Sequence, residues 1–153
     1  MKIIFVGAAV GAVAVAALLW SQGIAVQAAG VLPYQDEAAV ARGSEVYQDY
    51  CASCHGEQLQ GEPNWRERDA DGYLPAPPHD ATGHTWHHGD AQLLATTLKG
   101  TEALVGSGYR SRMQGYEDIL SEQDILAVLA FIKSTWPPEV IERHNEINLQ
   151  AGG

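Results

Sequence analysis

Positive charge is scarce in this chain. Nine Lys and Arg stand against nineteen Asp and Glu, a formal net charge of −10. So acidic a chain lacks the basic stripe that nucleic acid requires, which excludes that class of partner. An acidic surface keeps a protein soluble or suits a docking partner with a basic patch. Strand patterning is also missing. No run alternates apolar and polar residues between turn signals, and no segment repeats, which points to an all-α fold with long loops. Cysteine occurs twice, so there is no disulfide framework, and Met113 is the only methionine after the initiator. The 153 residues suffice for one domain.

Charge is absent altogether from Ile3 through Gly30, with Lys2 just ahead of it. Residues 1–29 therefore read as an export segment in one of two forms. A signal peptide would start at the basic Lys2 and be cut near Val26-Gln27-Ala28. An uncleaved anchor would span the bilayer from Ile3 to Trp20, with the indole at the interface. Either form places the remaining domain on the periplasmic side of a bacterial inner membrane.

The two cysteines sit in Cys51-Ala52-Ser53-Cys54-His55, the attachment sequence of a c-type haem. Each thiol adds across one vinyl group of the porphyrin, and the adjacent imidazole binds the iron. A thioredoxin-like dithiol would follow a strand, whereas these flanks look helical. A zinc site would need two more ligands, for which His84 and His88 lie far downstream.

Asp36 to Tyr50 reads as a helix with acids at its start and Gly43 inside it, a glycine whose usual reason is close approach of another helix and whose alternative is an indifferent position. Residues 56 to 89 carry turn signals and four histidines, His79, His84, His87 and His88. Such a loop is too long for a compact domain unless it wraps a large apolar object, and a porphyrin is one. Those histidines could bind a second metal, tune the haem propionates, or simply be solvated. Asp90 to Lys99 predicts a short helix with Asp90 as N-cap and Gly100 as stop. A glycine-rich turn from Gly106 to Tyr116 carries Met113. Ser121 then opens the most regular helix, with Ile125, Val128, Leu129 and Ile132 on one face, ended by Trp136-Pro137-Pro138. Residues 138–153 read as a polar tail or a peripheral helix.

Over residues 36–137 the chain resembles a class I cytochrome c. The run Gly83-His84-Thr85-Trp86-His87-His88 and the ending Ile132-Lys133-Ser134-Thr135-Trp136-Pro137 are similar to its bacterial, membrane-tethered or periplasmic monohaem members. Gly43 and Tyr47 match the glycine and aromatic of the family's first helix, with Val128 and Phe131 as their partners on the last. The resemblance implies one covalent haem c, held through Cys51 and Cys54, with His55 and Met113 as axial ligands of the iron. It implies a prolyl carbonyl to hold His55, for which Pro77 is the candidate and Pro75 and Pro78 the neighbours. Trp86 is placed to donate to a haem propionate or to pack in the core. Gln114 departs from the proline that often follows this methionine, and Tyr116 stands for the aromatic further on. The implied function is one-electron transfer between a redox donor and an acceptor, with no substrate chemistry. The rival readings are a five-coordinate haem sensor or peroxidase-like protein and a haem-free zinc domain.

Overall fold

The computed structural model describes residues 30–151, and the expected signal peptide or anchor over residues 1–29 lies outside them. Among the described residues there are six α-helices and no strand, and no helix is long and apolar enough to cross a membrane. The first, α1 (Glu37–Tyr50), starts where the Asp36 carboxylate accepts the Ala38 and Ala39 N–H groups at 2.9 and 3.1 Å. These are two of the donors that a helix start leaves unpaired. Cys51 ends it and leads straight into α2 (Ala52–His55).

Near the C-terminus, α5 (Glu122–Ser134) is capped by Ser121, whose Oγ accepts the Asp124 N–H at 3.1 Å. It packs across α1, and this crossing is the centre of the fold. Val46 and Tyr47 face Ile125, Val128, Leu129 and Ile132, all buried. Each buried aliphatic of this kind stabilises the fold by about 1.5–3 kcal/mol. Gly43 marks the closest approach. A Cβ there would overlap the Ala127 carbonyl oxygen and stand 2.8 Å from the Phe131 Cβ. The Tyr47 and Phe131 rings meet at 5.5 Å, while the Tyr47 hydroxyl donates to Gly56 O at 2.8 Å and fixes the end of α2.

Between these helices lie α3 (Asp90–Lys99) and the five-residue α4 (Thr101–Val105), which the glycine-rich sequence did not signal. Asp90 corrects one expectation. Gly89 occupies the cap position, and Asp90 is the first helical residue with its side chain turned inward. That carboxylate accepts the Val31 N–H at 2.7 Å, the Leu32 N–H at 3.2 Å and the Asn148 Nδ2–H at 3.0 Å. It serves the incoming chain and the last helix instead of its own.

That last helix is α6 (Pro138–Ala151). Proline at a first helical position is preorganised and loses no hydrogen bond, so Pro138 both ends α5's neighbourhood and opens α6. The polar stretch after residue 137 is thus ordered, and buried polar groups fasten it. His144 is fully buried and its Nε2–H donates to His88 O at 2.9 Å. Lys133, also fully buried, donates to Asn145 at 2.7 Å. Aliphatic periodicity could not reveal a helix held this way.

Candidate functional site

Cys51 closes α1 and Cys54 stands on the next turn, so both thiols and His55 belong to one continuous helical stretch. Both cysteines are free thiols, Cys51 half-buried and Cys54 exposed. Burial pushes the Cys51 thiol up to about 11, with Cys54 beside it adding to the effect. A dithiol redox centre needs a thiolate near neutral pH, and burial moves the Cys51 thiol away from that form.

His55 is buried, and its Nδ1 lies 2.8 Å from Pro77 O. A carbonyl can only accept, so the proton sits on Nδ1 and the Nε2 lone pair is left for a metal. Burial lowers the imidazole's affinity for a proton, with the Pro77 bond opposing that trend. The ring is therefore held neutral, the form that ligates. The loop after His55 delivers this carbonyl by doubling back. Gly61 N–H donates to His55 O at 2.7 Å, Glu62 N–H to Ala76 O at 2.8 Å, and His79 N–H to Leu59 O at 2.8 Å. Gly61 has φ +67°, and a Cβ there would stand 2.5 Å from Pro78 N, so only glycine lets residues 76–78 come this close.

One neighbour of His55 was not legible in the sequence. The His79 ring stacks on it with centroids 3.9 Å apart and planes 23° from parallel. His79 is fixed on both sides, Nδ1 against Thr85 Oγ1 at 2.8 Å and its carbonyl accepting the Trp136 indole N–H at 2.7 Å. Burial, and then the proximity of His55, push its imidazole well below the ordinary value. A stacked neutral ring restrains rotation of His55 without competing for its Nδ1 proton.

Met113 is half-buried against the core, as are Cys51, Leu94 and Leu98. Its carbonyl accepts the Thr101 N–H at 3.3 Å, and a β-bridge pairs Gln114 with Gly100. Tyr116 N–H then donates to Leu98 O at 3.0 Å. The Tyr116 hydroxyl reaches Tyr50 O at 3.0 Å, and the two tyrosine rings meet edge to face at 6.4 Å. Tyr50 directly precedes Cys51. The methionine loop is therefore tied to the thiol-bearing end of α1, and burial followed by the Cys51 thiol raises the Tyr116 phenol.

The remaining histidines disperse into separate pairs. His84 stacks on Trp65 at 5.3 Å and meets His88 edge-on, while His87 stacks on Trp86 at 3.6 Å. Among the described residues no three His, Cys, Asp or Glu side chains gather to hold a metal ion, so the zinc reading finds no ligand set. The Trp86 indole N–H donates to Ala81 O at 3.3 Å, and the ring packs on the core. A propionate contact would have to displace that bond.

The donor chemistry fits a covalent haem: two free thiols on one helical stretch, a neutral imidazole with a carbonyl-held Nδ1, and a thioether on a tied loop. The family model described as cytochrome c matches residues 40–136. Among curated proteins and solved structures nothing matches the chain.

Proposed function

The chain belongs to the cytochrome c family, and from that premise we propose that it is a one-electron carrier with His55 and Met113 as the two axial ligands of its haem iron. Family membership brings covalent haem c as the cofactor and redox proteins as the class of partner. When bound, the haem supplies a ferrous–ferric couple that takes up and returns a single electron.

The work of this chain is to hold that couple in place. Cys51 and Cys54 form the two thioether links. His55, with Pro77 O on its Nδ1 at 2.8 Å, presents Nε2 as a fixed, neutral ligand, and this bond is the observation that carries the reading. Met113 would supply soft sulfur as the second ligand, a donor that favours the ferrous state and raises the potential. Ligation by both His55 and Met113 would leave neither oxygen nor peroxide a site on the iron, which is what separates this reading from the sensor or peroxidase-like alternative. An acidic chain suits brief docking with a donor and an acceptor that carry basic patches, through small interfaces. Residues 36–137 form the cytochrome domain, working at the periplasmic face of a bacterial inner membrane, with residues 1–29 as a signal peptide or anchor.

Met113→Ala tests the ligation. The ferrous wild-type protein as isolated is expected to bind carbon monoxide weakly or not at all. The variant is expected to bind it readily, and its potential to fall by on the order of a hundred millivolts. Equal carbon monoxide binding by the two proteins would remove Met113 from the iron.

A further inference from the structure

Met113 is fastened differently on its two sides. Downstream, backbone hydrogen bonds tie residues 113–116 to α3 and α4. Upstream the chain runs through Gly106, Ser107 and Gly108, all with positive φ, and a Cβ on either glycine would meet nothing within 4 Å. Among the described residues that arm meets α4 through a long Ser111 N–H bond to Glu102 Oε2 at 3.4 Å, and its shorter contacts to the rest of the fold are made by its arginine side chains with the loop around Tyr73. The guanidinium carbons of Arg110 and Arg112 each lie 4.2 Å from the centre of the Tyr73 ring. Arg110 also donates to the Tyr73 hydroxyl at 2.7 Å and to Asp71 O at 2.6 Å. Arg112 donates to Asp69 Oδ2 at 2.6 Å.

The receiving side is built for this. Asp69 Oδ1 accepts the N–H groups of Asp71 and Tyr73 at 3.0 and 2.9 Å, and Asp69 N–H donates to Tyr73 O at 2.9 Å. The turn from residue 69 to residue 73 is thereby closed on itself, with Tyr73 and one carboxylate oxygen aimed at the arginines. The Arg112 contact holds the Asp69 carboxyl below its usual range, so the pair is charged at neutral pH. Four of the nine cations in this acidic chain, Arg66, Arg68, Arg110 and Arg112, lie on these two loops. Arg68 repeats the pattern over Tyr109 at 5.5 Å.

We infer that Tyr73, clamped by Arg110 and Arg112 and locked by Asp69, is the positioning residue that holds Met113 on the iron. The rate and ease with which the sulfur yields to an outside ligand are then set by a loop some forty residues away in sequence, Asp71 to Arg110 being 39 apart. The inference rests on the reading of Met113 as an axial ligand.

The test uses the ferric holoprotein and free imidazole, which competes with a weakly bound thioether. Loss of the methionine–iron charge-transfer band reads the exchange. In Tyr73→Ala the apparent imidazole affinity is expected to rise about tenfold, since two exposed cation–π contacts are lost. Tyr73→Phe keeps the ring and loses the Arg110 bond to the hydroxyl, so it is expected to fall between wild type and Tyr73→Ala, and thermal unfolding of both should barely move. Arg112→Gln repeats the measurement should Tyr73→Ala fail to fold. Wild-type imidazole affinity in Tyr73→Ala, with or without a lower Tm, overturns the clamp and leaves Met113 ligation standing. A wild-type ferric protein with no methionine–iron band overturns both.

Discussion

Replacing Gly43 by alanine is expected to destabilise the holoprotein by about 3 kcal/mol, although alanine in an exposed helix interior normally gains about 1 kcal/mol over glycine. The sign reverses because of what faces it. The added methyl would overlap the Ala127 carbonyl oxygen, stand 2.5 Å from that carbonyl carbon and 2.8 Å from the Phe131 Cβ. Two of those atoms are α5 backbone, which cannot swing aside as the end of a side chain can. Relief requires the helices to part, and Tyr47, Val46, Ile125 and Val128 would then lose close packing together. Since α1 ends at Cys51, separation would also disturb the thiol-bearing turn. Denaturant unfolding followed by circular dichroism checks the stability, and the yield of covalent haem checks the turn. A variant as stable as wild type would mean that the helices do not cross here.

Asp90→Ala is expected to cost about 3–5 kcal/mol, as breaking a buried charged cluster does. The carboxylate is 3% exposed and satisfies Val31 N–H, Leu32 N–H and Asn148 Nδ2–H. Its charge also favours the protonated form of buried Lys133, which burial otherwise opposes. Removing it strands three donors and loosens α6 on α3, where the Asp90 N–H bond to Asn148 Oδ1 at 2.7 Å remains, so amide exchange across Pro138–Ala151 should accelerate. The same cluster gives acid sensitivity. His144 donates from Nε2 to His88 O, while its buried Nδ1 finds no hydrogen-bond partner among the described residues. Burial foremost, then Lys133, lower its proton affinity, against the opposing effects of Asp90 and the His88 carbonyl. Between the unfolded value near 6.5 and the lower folded one, the unfolded chain binds more protons, so stability rises with pH there. It is fully present above that window and lost as pH falls through it. His144→Gln keeps a donor for His88 O and removes the proton site. Its unfolding free energy is expected to vary less than that of wild type between about pH 7 and about pH 5; parallel curves would assign the acid sensitivity elsewhere.

The parts of this fold that could be read from the sequence are those whose physics is local. Asp36 and Ser121 cap helices through groups two or three residues away, and Gly43 points to a crossing because a glycine inside a helix costs about 1 kcal/mol relative to alanine and its usual reason is close approach of another helix. The Cys51–His55 spacing carries its own chemistry. Asp90 shows where locality ends. As a helix-start residue it had a good local use, but Val31, Leu32 and Asn148 arrive from 58 or 59 residues away and claim its carboxylate. His79 on His55, and Tyr73 between Arg110 and Arg112, depend on loops folding back, and nothing periodic marks such encounters. Trp136 was visible as part of a helix ending, but its indole bond to His79 O joins the chain just after α5 to the loop that stacks on His55.

A potentiometric titration of the purified holoprotein, followed by its visible spectrum, tests the central claim most directly. The account predicts one reversible one-electron wave, low-spin iron at both ends, and a methionine–iron charge-transfer band in the ferric form that is absent from Met113→Ala. A high-spin ferric spectrum in the wild-type protein, unchanged by Met113→Ala, would contradict it.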